Sequence, residues 1–200
     1  MIMKHYIKSK LTRFLQDTNG LATIEFAFTV PFLLLLWLGA VSVIDMENSS
    51  TEVGKVTSTV ADILAQAPEV TEETVDNAFL ASQALLGHAR KADFEIYVAG
   101  IRITKIDPLD DNEIGTATVV WSRGSNLSTL SAPAPGTTFA LDTSLKKRIG
   151  FIVATHGKLK HVPIYADQYA AFGETDHTVY YEYKNFFTPR NSVETVCIDC

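Results

Sequence analysis

The sequence lacks the patterns by which most enzymes announce themselves. It has no G-x-S-x-G nucleophile elbow, no P-loop, no H-E-x-x-H pair and no glycine-rich dinucleotide fingerprint. Each of those motifs fixes a nucleophile, a phosphate cradle or a metal pair in one backbone geometry. Without them the residues give no support for an enzyme, a cofactor or a catalytic metal. Cysteine is scarce as well, with only Cys197 and Cys200 in 200 residues. A redox C-x-x-C belongs at a helix start in a β-α-β setting, which the flanking residues lack. A structural zinc site needs a second pair of ligands. The spacing favours a local disulfide closing a small loop, ahead of free or intermolecular thiols. A thiol oxidoreductase using this pair stands as the enzyme-class alternative.

Positive charge is scarce beyond the first residues. The chain has 17 Lys and Arg against 23 Asp and Glu, a net charge of -6. Residues 1–20 carry Lys4, Lys8, Lys10 and Arg13 against Asp17, a net of +3. Glu25 is the one charge in residues 21–44, so residues 45–200 carry the balance, -8. An acidic domain excludes general nucleic-acid binding, which needs a basic face. Two hundred residues fit one domain, or one domain with an appendage.

From Leu21 to Ile44 the run is apolar and 24 residues long. As an α-helix it would measure about 36 Å, against about 30 Å for a bilayer core. A basic segment just before such a run predicts that this end stays in the cytoplasm and the acidic remainder crosses to the other side. Three readings compete for residues 1–44. A secretory signal peptide would have a shorter apolar core followed by its cleavage site. A plain signal anchor accounts for length and charge but not for Glu25, because a carboxylate inside a span costs about 2.5–3.5 kcal/mol. A prepilin-type leader ends in Gly and leaves Glu as the fifth mature residue. Counted from Leu21, Glu25 is fifth and Phe26 sixth.

The stretch Gly20-Leu21-Ala22-Thr23-Ile24-Glu25-Phe26-Ala27, with Pro31 and Leu33–Leu36 after it, resembles the opening of TadE-like and TadG-like proteins of tight-adherence (Tad/Flp, type IVb) pilus systems. The resemblance covers the first 44 residues well. It extends weakly to Thr118–Gly124 and to Val179–Tyr183 with Phe187-Thr188-Pro189, and not to residues 124–176. It implies a minor pilin or pseudopilin, cleaved after Gly20 by a prepilin peptidase. Its partners would be membrane lipid, other pilins and an inner-membrane assembly platform. The implied location is the bacterial inner membrane, single-pass, with a periplasmic domain and a possible place in the surface pilus. It also implies that Glu25 pairs with the new amino terminus of a neighbouring subunit, setting register. The other reading of Glu25 is a carboxylate close enough to the interface to stay hydrated. The alternative for the whole chain is an unprocessed, membrane-anchored binding or adhesion domain.

The expected fold class is α+β: the N-terminal transmembrane helix extending toward a periplasmic domain with an amphipathic helix and a small antiparallel sheet. Pro31 inside the helical pattern predicts a bend. Residues 45–52 read as a loop or as part of one long helix. Val53, Val56, Val60, Ile63 and Leu64 recur at helical spacing over 53–66, with Gly54 as a weak spot and Ala67-Pro68 as the stop. Thr71 is an N-cap for a helix over 72–86, with Gly87 as its C-cap. Phe94, Ile96 and Val98 alternate with Glu95 and Tyr97 as a half-buried strand, and Gly100 marks a bulge. A turn at 107–112 and a strand over 116–122 complete a hairpin. Residues 124–144 read as surface loop, 150–154 and 162–166 as short strands, and 178–187 as the last strand. His156 and His161, with His177, are expected as exposed histidines in a basic loop rather than metal ligands. Lys146, Lys147 and Arg148 with Lys158 and Lys160 are expected as one basic cluster, a solvated face or a contact for anionic headgroups or an acidic partner.

Overall fold

The computed structural model describes residues 19–86, 93–105, 107, 109–110, 113–125, 127–148, 150–164 and 178–200, with side chains from residue 24 onward. The chain divides into two compact units, residues 1–44 and 45–200. Helix α1 (Asn19–Gln66) begins in the first and ends in the second. The polar residues 45–52 are therefore helix, not loop. Ala67-Pro68 ends α1, because a residue before proline is pushed out of the helical region.

In the second unit β1 (Glu69–Val70) leads into α2 (Glu72–Gln83). The Thr71 side chain accepts from the Thr74 N–H, and Glu72 and Glu73 sit at the positive end of α2. The helix stops at Gln83 rather than 86, with Ala84 as its cap, and the expected cap Gly87 lies outside the described residues. Val75, Ala78, Phe79 and Ser82 are its buried face.

Four strands form one antiparallel sheet: β2 (Phe94–Thr104), β3 (Thr116–Ser125), β4 (Gly150–His161) and β5 (Val179–Phe187). Their order is β3-β2-β4-β5. A four-residue helix, α3 (Thr143–Lys146), lies before β4. The expected strand over 150–154 is the start of a longer one, β4, which pairs with β2 and β5 and runs to His161; of the expected strand over 162–166, residues 162–164 are not strand and 165–166 lie outside the described residues. Gly157 is a ladder residue whose missing Cβ lets α1 approach: a Cβ there would collide with the Thr57 methyl. Gly54 on α1 faces the Tyr183 ring, which lies 3.4 Å from the position of a Cβ, an ordinary contact distance.

Both faces of this sheet are covered. Phe94, Ile96, Val98, Phe151, Val153 and Leu159 pack under Val53, Val56, Val60 and Leu64 of α1 and under α2. Ala99, Ile101, Ile103, Ala117, Val119, Ile152 and Ala154 pack on the other face, with Phe139 and Leu141 of the 127–148 segment against them. The expected half-buried strand at Phe94–Val98 is thus corrected: Glu95 and Tyr97 are buried too, because β2 is central and both its faces are roofed.

The register between β2 and β3 shifts between Gly100 and Ile101, so the expected bulge is present. Gly100 faces Trp121 while Ile101 faces Val119, which leaves Val120 as the extra residue. One extra residue turns Trp121 to the helix face while Ala117 and Val119 keep the other. Finally β6 (Val196–Cys197) pairs in parallel with β1, a contact the sequence did not suggest.

Candidate membrane and assembly element

The first part of α1 is apolar and uncovered. Phe28 is 78% exposed, Phe26 70% and Leu35 67%, so this is not the core helix of a folded domain. Among the described residues α1 is the one helix long and apolar enough to cross a membrane. Gly20 and Leu21 lie in its first turn by backbone. Glu25 is exposed beside Phe26, one turn before Thr29, whose hydroxyl donates to the Glu25 carbonyl at 2.7 Å. Pro31 lies inside α1, and the helix continues through it. Pro31 has no N–H for the carbonyl four residues back, which is the physical basis for expecting a bend there.

The next candidates sit where α1 enters the second unit. Asp45 Oδ2 lies 2.9 Å from His161 Nε2, and the Ser49 hydroxyl lies 3.4 Å from His161 Nδ1. All three side chains are buried. The trio has the residue types of a hydrolytic triad but not its chemistry. Ser49 is wholly enclosed, and its hydroxyl donates to the Asp45 carbonyl at 2.7 Å. A nucleophile has to reach substrate. The trio instead pins the end of β4 to α1.

His161 is therefore not an exposed loop histidine, and neither is His156. His156 stands edge-on to the Tyr97 ring, with Nε2 3.5 Å from Glu182. Burial, with Lys184 nearby, holds His156 below the usual histidine range. Five positions apart on a strand places the two rings on opposite faces, so they share no ion. His177 lies outside the described residues.

The basic cluster also comes apart. Lys146–Arg148 precede the start of β4, whereas Lys158 and Lys160 lie near its end. Ten or so strand residues separate them by roughly 30 Å. Lys158 reaches Glu182 at 3.2 Å and lies over the Tyr180 ring.

Cys197 and Cys200 are joined as a disulfide, with Cα atoms 5.6 Å apart. Between them Asp199 accepts from the Glu72 N–H at 2.7 Å, at the start of α2. The same tail carries Glu194, which receives a two-pronged bond from Arg102 at 2.7 and 2.6 Å. Its Thr195 carbonyl accepts from the Trp121 indole at 2.8 Å.

Sequence reasoning also missed Glu95. Its carboxylate accepts from the N–H groups of Ser128, Thr129 and Leu130 and from the hydroxyls of Ser128 and Thr129. Burial pushes its pKa up, but the five bonds outweigh that and hold it at about 2. The Ser-Thr pair in a segment read as surface loop was the available signal. No family model, no curated protein and no solved structure matches this chain.

Proposed function

We propose that this chain is a minor pilin or pseudopilin of the tight-adherence type, a structural subunit and not an enzyme. In this reading it enters the bacterial inner membrane with residues 1–20 in the cytoplasm and residues 45–200 in the periplasm. A prepilin peptidase cleaves after Gly20, and the mature subunit packs among other pilins and the assembly platform through residues 21–44. The observation that supports it is an uncovered apolar helix with a single carboxylate, Glu25, leading into a folded α+β unit. An apolar surface of that length is covered either by lipid or by like helices. A carboxylate placed there is costly until it meets a cation, and the Leu21 amino group freed by cleavage supplies one.

Mass spectrometry of the mature N-terminus from the native membrane tests the reading. A chain beginning at Leu21 is expected; retention of residues 1–20 overturns the processed subunit and favours an unprocessed, membrane-anchored binding domain. Glu25→Ala is expected to leave membrane insertion intact and to abolish incorporation into the filament or its assembly complex.

A further inference from the structure

We propose that Lys160, Val162, Ile164 and Tyr180, at one end of the sheet, form a lipid-contact surface that seats on the headgroup layer of the membrane. The proposal rests on the reading of α1 as a membrane span.

The direction of β4 carries the argument. The Thr155 hydroxyl donates to the Thr57 carbonyl at 3.0 Å, and His161 meets Asp45 at 2.9 Å. From Thr57 back to Asp45 the helix rises about 18 Å. From Thr155 on to His161 a strand advances about 20 Å. The two lengths agree, so β4 runs alongside α1 in the opposite sense, and its end arrives at Asp45. Asp45 is the residue that follows the apolar run. Strand β5 starts at the same end, since Val179 pairs with His161 and Tyr180 with Lys160.

The chain continues past His161 as Val162-Pro163-Ile164. Three residues reach about 10 Å, comparable to the headgroup layer, which adds roughly 5–8 Å to each side of the hydrocarbon core. Val162 is 54% exposed, Ile164 53% and Tyr180 52%. Lys160 is exposed beside them. Residues 158–164 contain no acid. Glu182, two positions along β5, is held by Lys158, and Glu47 is exposed on α1. Exposed aliphatics, one tyrosine and a lysine suit a boundary that is apolar below and anionic above. The opposite end of the sheet, at the hairpin tip holding Leu109, supplies the control: Ile103 pairs with Gly150, at the far end of β4.

The test uses the full chain in vesicles of phosphatidylcholine with a minority of phosphatidylglycerol. Bimane is attached in turn to Val162→Cys, Leu34→Cys and Leu109→Cys; the native cysteines are occupied by their disulfide. Lipids carrying a nitroxide on the headgroup or along the chain serve as quenchers. Headgroup nitroxide is expected to lower emission at position 162 roughly two-fold, chain nitroxide to quench position 34, and neither to affect position 109. Quenching at 34 with position 162 as unaffected as 109 overturns the surface and leaves the span standing. No quenching at 34 overturns the span, and the surface with it. Lys160→Glu combined with Ile164→Asp is expected to restore emission at position 162; unchanged quenching there shows that these residues do not make the contact.

Discussion

Asp45, on the helix that leaves the apolar run, and His161, the last residue of the central strand β4, are both buried and meet at 2.9 Å. Removing Asp45 leaves the buried His161 Nε2 without the carboxylate it faces. Asp45→Ala is expected to cost about 1–3 kcal/mol, and replacing both residues by leucine less, because the second change removes the orphan. Denaturant unfolding of the two variants checks the order. A double variant less stable than the single one contradicts it.

Glu95 gives the domain a stability term that depends on acid. Its pKa is held at about 2 in the folded chain against an ordinary 4.5. A depressed folded value stabilises above the unfolded pKa and loses that contribution as pH falls through the folded one. The term is on the order of 3 kcal/mol at neutral pH and fades between about pH 4.5 and 2. Glu95→Gln should be less stable at neutral pH and converge on the native chain toward pH 2. Parallel stability curves across that window would contradict this.

Gly157 and Gly100 are fixed by contact. A Cβ on Gly157 would meet the Thr57 methyl, and one on Gly100 would meet the Trp121 indole and the Phe151 ring. Each alanine variant is expected to cost about 1–3 kcal/mol by overpacking. Gly157→Ala combined with Thr57→Ser, which removes that methyl, should recover part of the loss. Thermal unfolding reads both.

The disulfide closes a short loop, so its chain-entropy contribution is only about 2 kcal/mol. Its larger effect is expected to be local. Cys197→Ser with Cys200→Ser should release Asp199 from the Glu72 N–H and loosen β6 from β1. Amide exchange should then speed at Glu72 and Ile198 while β4 stays protected. Uniform loss of protection would show the tail to be part of the global fold instead.

Elements with a local cause were legible in the sequence. The Thr71 cap, the stop at Ala67-Pro68, the Gly100 bulge and the last strand all follow from neighbouring residues. What failed depends on residues distant along the chain. The half-exposed strand became buried on both faces because the 127–148 segment roofs the side opposite the helices. His156 and His161, expected as exposed, are buried because β4 lies in the middle of the sheet. The basic cluster dissolved because a strand, not a loop, separates its halves.

The feature on which the proposed function rests is of the local kind. Gly20, Leu21, Glu25 and the apolar run to Ile44 are set by order and composition alone, since an α-helix satisfies its own backbone and a lone carboxylate is conspicuous without any neighbour. Only tertiary structure decided that the helix is clamped at Asp45 to β4, and that the His161 end of β4 is the end that meets it. Pairing across the chain carries no local signature, because the groups that meet are brought together by burial of the core between them.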